Sequence, residues 1–265
     1  MVRIKYTEAA TVAWAVFDTS LAYTVINCPT CTANDSATAG KTVSGTAVSG
    51  TLNNPENRSY TGYSGTTTIC FMDEDNSDES VTPDTSNIAS NDLPCIENAN
   101  VHWATSTSEP GAFNAGIDKT STDGAYFAYL GMALGDAATT DPSTTDFIMN
   151  QFETAGKMDS STKKWAIALS PDDGDDNQDD TTESFMDMGT STTTSLRDPS
   201  IAAKSIKFSN SQQEWLTTIK GINFGIRESG KYGLDDNTYI TVETARQCLY
   251  VPSADYEEVH RETLY

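Results

Sequence analysis

The sequence predicts a mostly-β fold, and three observations carry that expectation. Short runs rich in Thr, Val, Ile and aromatic residues recur at 11–17, 23–26, 66–72, 165–169, 205–208 and 215–219. Clusters of Gly, Asn, Asp and Ser separate them, which is the punctuation of turns. Only two stretches carry helical spacing: 144–155, with Phe147, Ile148, Gln151 and Phe152 in phase, and 254–264. Both are short and amphipathic. Polar segments at 76–91 and 171–183, dense in Asp, Ser and Thr, read as surface loops between strands.

Composition narrows the function classes. The 265 residues suffice for one large or two smaller domains, and 37% hydrophobic content excludes a wholly disordered chain. A net charge of −22 with 16 Lys+Arg argues against nucleic acid and anionic membranes, whose charge this surface would repel. Cationic partners, divalent cations or an acidic medium suit it better. No stretch approaches the roughly 20 apolar residues that span a bilayer. The N-terminus lacks a basic region followed by an apolar one, so a secreted chain would be numbered here without its signal.

Five cysteines, Cys28, Cys31, Cys70, Cys95 and Cys248, lie among Ser, Thr, Asn and Asp, an extracellular composition, and oxidation of four of them is expected. Cys28 and Cys31 have the spacing of a zinc half-site, but no second close pair exists and only His102 and His260 could replace sulfur ligands. A redox role for the pair would want a strand–helix context, whereas Asn27 and Pro29 suggest a loop leaving a strand. Asn34 and Asn57 head glycosylation sequons on predicted loops. Asp73, Asp75, Ser77 and Glu79 alternate as in the first half of a calcium loop and Asp84 stands at its twelfth place, but Asp78 stands where such a loop needs glycine, so a solvated acidic loop is the simpler reading. No metal and no cofactor is expected, calcium apart. Trp14, Trp103, Trp165 and Trp215 are expected in the core.

Several segments, taken in order, resemble one family. Val16-Phe17-Asp18-Thr19-Ser20 closes an apolar strand with an aspartate, and Cys28 to Cys31 follow it. Segment 59–65 carries Tyr60 and Tyr63, and 123–134 begins Asp123-Gly124 and ends in Leu130-Gly131-Met132-Ala133-Leu134. Segments 147–159, 165–170 and 184–189, then 215–224, complete the series. Together these resemble the pepsin-like aspartic proteases. The resemblance implies a mostly-β, bilobal acid-protease fold with a shortened C-terminal lobe and a few short helices. Its lobes would be 1–140 and 141–265, the second comprising the interlobe strands and a partial C-terminal lobe. It further implies that 59–65 is a flap hairpin with Tyr60 or Tyr63 at its tip, and that 184–189 is a turn.

The same resemblance locates the chemistry and its damage. An aspartyl hydrolase needs two carboxylates sharing a proton, one activating water and the other protonating the substrate. Asp18 is the first of them, but Ser20 stands where the family has glycine and Leu21 where it has a serine donor, so Asp18 reads as vestigial. For the second loop, anchoring on Pro252 and Tyr256 puts Thr244 at the position of the lost aspartate. Anchoring on 234–239 instead retains Asp235, with Asn237 in the glycine's place. The expectation is therefore a secreted, non-catalytic pepsin-like glycoprotein serving as a structural subunit of an extracellular fibre, coat or surface layer. Self-association or a partner chain would cover its C-terminal edge. The alternatives are an active aspartic endopeptidase with divergent loops and a monomeric peptide-binding cleft module.

Overall fold

The computed structural model describes residues 2–6, 13–35, 41–52, 58–71, 95–108, 126–133, 147–158, 165–168, 185–188, 216–218, 221–223, 231–233, 239–242 and 244. Among them strands dominate, as the sequence predicts. Seven strands form one mixed sheet: β1 (Val2–Tyr6), β2 (Ala13–Asp18), β3 (Val25–Asn27), β4 (Thr42–Leu52), β5 (Arg58–Phe71), β6 (Cys95–Thr107) and β7 (Tyr126–Gly131). Their order is β1-β2-β7-β3-β6-β5-β4. Strand β1 also pairs with β5 through Ile4↔Phe71, Lys5↔Cys70 and Tyr6↔Ile69, so six of the seven close into a ring and β4 hangs outside on β5. Closure removes the free edges that an open sheet would present.

Strand chemistry follows position in that ring. β4 is built of Thr, Ser, Gly and Ala with two buried hydrophobics, Val43 and Leu52, as suits a strand with solvent on one side. It is tied to β5 by facing hydroxyls, Thr42 to Thr66 and Ser44 to Ser64, each 2.7 Å apart. β6 is the long inner strand, with Cys95, Ile96, Ala99, Val101, Trp103 and Ala104 buried. Its register against β5 shifts beside Asn98, whose φ of 55° lies in the left-handed region that asparagine tolerates. The main core gathers Ile4, Phe17, Ile26, Ile69, Val101 and Leu130 around the fully buried Trp103. Trp103 Nε1 donates to the Thr42 carbonyl at 3.0 Å, and the Lys41 ammonium lies 5.1 Å from its ring centroid.

The helix predicted over 144–155 is α1 (Ile148–Thr154). It buries Ile148, Gln151 and Phe152, three of the four residues that carried the expectation. Phe152 packs on Phe71 at 5.4 Å, and the Gln151 amide clamps the Asn100 backbone, accepting from its N–H at 2.7 Å and donating to its carbonyl at 3.2 Å. The remaining strands form three separate two-stranded sheets: β8 (Trp165–Ala168) with β9 (Phe185–Met188), β10 (Leu216–Thr218) with β13 (Tyr239–Thr241), and β11 (Gly221–Asn223) with β12 (Lys231–Gly233). Trp165 is partly buried and meets Phe17 edge-on at 5.1 Å.

Two local expectations need correction. Segment 59–65 is not a hairpin tip: it runs inside β5, paired on both sides, because Tyr60 faces Gly50 and Tyr63 faces Ala47 across one flank while β6 holds the other. Residues 185–188 form strand β9 rather than a turn, paired residue for residue with β8. Segments 76–91, 171–183, 205–208 and 254–264 lie outside the described residues, as do the side chains of Trp14 and Trp215.

Two disulfides are formed, Cys28–Cys31 and Cys70–Cys95. The second joins residues directly opposite in the β5/β6 ladder. It closes a loop over a sequence separation of 25, so it restricts the unfolded chain far more than the three-residue Cys28–Cys31 bridge does. Replacing both Cys70 and Cys95 by alanine is expected to cost about 3 kcal/mol of stability, read by urea unfolding against the oxidised parent.

Candidate functional site

Asp18 ends β2, the strand that pairs in parallel with β7 through Asp18↔Gly131. The strand's apolar residues pull it into the ring, and the carboxylate at its tip is carried in with them: Asp18 is fully buried. Close approach of the following turn depends on Gly131, since a Cβ there would sit 2.3 Å from the Tyr23 carbonyl oxygen and 2.7 Å from that of Leu21. Backbone bonds fasten the turn to the end of β7, Met132 N–H to the Asp18 carbonyl at 2.8 Å and Ala133 N–H to that of Leu21 at 3.1 Å.

Ser20 does the opposite of what its place in the sequence suggests. A side chain there was expected to strain the turn, yet among the described non-glycine residues only Asn34 and Asn98 have positive φ, so Ser20 bears no such strain. Its N–H and its Oγ both donate to Asp18 Oδ1, at 2.9 and 2.6 Å. The donor missing at Leu21 is thus supplied one residue earlier, and Leu21 is free to join an apolar cluster with Val25, Leu52, Tyr60 and Tyr129.

Beside Asp18 a clasp joins two segments that are 225 residues apart. Thr19 Oγ1 donates to the Val242 carbonyl at 2.5 Å and accepts from Thr244 N–H at 3.1 Å. Thr244 Oγ1 donates to the Phe17 carbonyl at 2.5 Å and accepts from Thr19 N–H at 3.3 Å. Each threonine hydroxyl therefore bonds the carbonyl two residues before the other threonine. The pattern has two-fold symmetry: Phe17 corresponds to Val242 and Thr19 to Thr244. The structure brings the predicted Asp18 and Thr244 loops together, but in a register one residue away from the expected one. Thr244 is the counterpart of Thr19, so in the sequence the counterpart of Asp18 is Glu243. Glu243 and Asp235 lie outside the described residues.

A second polar group sits behind the turn. His102 on β6 is buried, its N–H bonded to the Thr24 carbonyl at 2.9 Å. Its Nδ1 shares a 2.6 Å hydrogen bond with the buried Tyr60 hydroxyl, and the Tyr23 ring stacks on it at 4.0 Å. Burial lowers the imidazole pKa from 6.5 to about 4, and burial, with a smaller contribution from Tyr23, pushes the Tyr60 phenol well above its ordinary range. The two side chains thus form an uncharged pair at neutral pH, linking the Asp18 turn to the β4/β5 hairpin. Of the two flap candidates, Tyr60 is the buried member of this pair, and Tyr63 lies half-buried against the main core.

The other predicted residues are scattered. Asn34 is exposed in a turn, with φ of 61°. Asn57, Cys248, Asp73, Asp75 and Asp84 lie outside the described residues. Among the described residues no cluster of three or more His, Cys, Asp or Glu side chains could hold a metal ion, and no helix is long and apolar enough to cross a membrane. No protein-family model and no curated protein sequence matches the chain.

Thr19→Val keeps the shape of the threonine while removing both hydroxyl contacts of one half of the clasp. It is expected to cost about 1–3 kcal/mol and to accelerate hydrogen exchange at the Thr244 amide, followed by mass spectrometry. For His102 the unfolded chain binds a proton near pH 6.5 and the folded one only near pH 4. Stability contributed by the neutral imidazole is therefore complete above pH 6.5 and falls as the pH drops from 6.5 to 4, by about 2–3 kcal/mol in all. Chemical denaturation across that window checks it, and His102→Gln, which retains an acceptor for Tyr60, is expected to flatten the slope.

Proposed function

We propose that the chain is a divergent pepsin-like protein whose Asp18 turn and 242–244 segment form an aspartic-endopeptidase site, with Asp18 and Glu243 as its two carboxylates. The observation that carries this reading is the reciprocal clasp of Thr19 and Thr244. The two threonines bond each other's segments in two-fold register, and in the sequence the residue that precedes each of them, Asp18 and Glu243, is a carboxylic acid. In such a pair one carboxylate takes a proton from water as it attacks a peptide carbonyl, while the other, protonated, donates to the carbonyl oxygen. Ser20 holds Asp18 Oδ1 from one side and so fixes the carboxylate plane. In this reading the two lobes are residues 1–140 and 141–265, the protein is secreted, and Asn34 and Asn57 carry glycans.

A second reading is the non-catalytic structural subunit of an extracellular assembly, with a partner copy along its C-terminal part. It is favoured by Ser20, whose hydroxyl rests on Asp18 where the resemblance calls for a bare backbone, and by the extra methylene of Glu243, which alters the geometry of a shared proton.

One experiment separates the two. The purified chain is incubated with a broad peptide mixture between about pH 3 and 6, the range in which one of two coupled carboxylates is ionised, and the products are identified by mass spectrometry. Cleavage that falls by ~10³-fold in both Asp18→Asn and Glu243→Gln is the expected outcome. Absence of cleavage throughout the window, or cleavage untouched by either substitution, would remove the endopeptidase reading.

A further inference from the structure

Lys41 is an unusual residue to find inside this ring. It is 7% exposed, and its Nζ lies 3.7 Å from Cys28 Sγ, half of the Cys28-Pro29-Thr30-Cys31 bridge. The ammonium also lies over the Trp103 ring, whose packing in the core holds it in place. A cation in contact with a disulfide sulfur does little for the disulfide itself, which is neutral. It does a great deal for the thiolate that appears when the disulfide opens. The second bridge differs in its setting: Cys70 and Cys95 are buried partners in the β5/β6 ladder, where the two strands hold the sulfurs face to face.

From this geometry we propose that Cys28–Cys31 is a thiol–disulfide exchange site, with Lys41 stabilising Cys28 as the leaving thiolate and a dithiol as the reductant. One thiolate of the dithiol attacks Cys31 Sγ, forming a mixed disulfide. The Cys28–Cys31 bond breaks and its electron pair goes to Cys28 Sγ beside the Lys41 ammonium. The second thiol of the reductant then attacks its own sulfur in the mixed disulfide, releasing Cys31, which takes up a proton. The protein bridge gains two electrons, and the dithiol loses two as it closes to a cyclic disulfide. Cys31 is 6% exposed and lies beside the exposed Thr30 and Thr32, which suits a small dithiol better than a bulky protein partner.

Opening this bridge leaves its backbone anchored. Cys28 N–H is bonded to the Ala104 carbonyl at 2.8 Å and Cys31 N–H to the Cys28 carbonyl at 3.0 Å, so the turn persists without the sulfur link. What changes is the neighbourhood of Lys41, the residue that leads into β4 and thus into the hairpin bearing Tyr60.

The test uses the full oxidised chain, equilibrated in graded ratios of reduced to oxidised dithiothreitol, trapped with iodoacetamide and mapped by peptide mass spectrometry, with circular dichroism as the measure of fold. Cys28–Cys31 is expected to open at a ratio about 10-fold lower than Cys70–Cys95, with the fold intact. Lys41→Met, which keeps the packing over Trp103, should raise the ratio needed several-fold, and Lys41→Arg should restore it. Opening of Cys70–Cys95 first, simultaneous opening of both with loss of fold, or a Lys41→Met chain indistinguishable from the parent would each overturn the proposal. The order of opening is read in the parent alone and so holds even where a substitution impairs folding.

Discussion

Everything described in the first half of the chain depends on β1 reaching both β2 and β5. Without that double pairing the six strands would be an open, strongly twisted sheet with two unsatisfied edges and an uncovered apolar face. With it, each strand of the ring has a neighbour on either side, and the side chains pointing inward meet around Trp103. β5 makes this possible by being long. Its C-terminal residues, Ile69 to Phe71, serve β1, while its N-terminal part serves β4, and β6 runs along almost its whole length. The Cys70–Cys95 bridge is placed on the strand pair that has to hold for the ring to stay closed.

The ring also explains why a carboxylate can be buried where Asp18 is. Strand β2 is anchored by β1 at Ala13 to Ala15 and by β7 along its length to Asp18, which pairs with Gly131 and is fully buried. Ser20 supplies two donors to its Oδ1, and the turn beyond it is closed by the backbone at the end of β7 and by the threonine clasp. On the far side, the Tyr60–His102 pair meets its own demand without charge. Two buried polar groups thus lie on either side of one short turn, Asp18 held by Ser20 of the turn itself and His102 by Tyr60 of a neighbouring strand.

Much of this was legible in the residues, and the parts that were not have physical reasons. The runs at 11–17, 23–26, 66–72, 165–169 and 215–219 meet β2, β3, β5, β8 and β10, and 144–155 meets α1, whereas β1, five residues with Lys and Arg between its apolar ones, and β7 meet no predicted run. β4 was invisible, since an outer strand of Thr, Ser and Gly carries no hydrophobic period. β6 was missed because the register shift beside Asn98 and the exposed Glu97 interrupt its alternation. Asp18 could be found from its own strand, but the second loop could not be registered from Pro252 and Tyr256: only a tertiary contact, Thr19 with Thr244, tells which residue faces which. Ser20 has a donor of the right kind, but which acceptor it meets depends on the fold of the turn. His102, a lone histidine, carried no signal in the sequence beyond its ability to ligate a metal, and its true partner is a tyrosine 42 residues away.

The clasp has a consequence in time as well as in space. Its two halves are separated by 225 residues, so a chain emerging from synthesis can complete the ring around Trp103 long before Thr244 exists to meet Thr19. Whatever chemistry the Asp18 turn supports, it is withheld from the nascent chain and from any fragment cut ahead of residue 242. The contact between the two ends of the chain is therefore the last part of this region that synthesis allows to form.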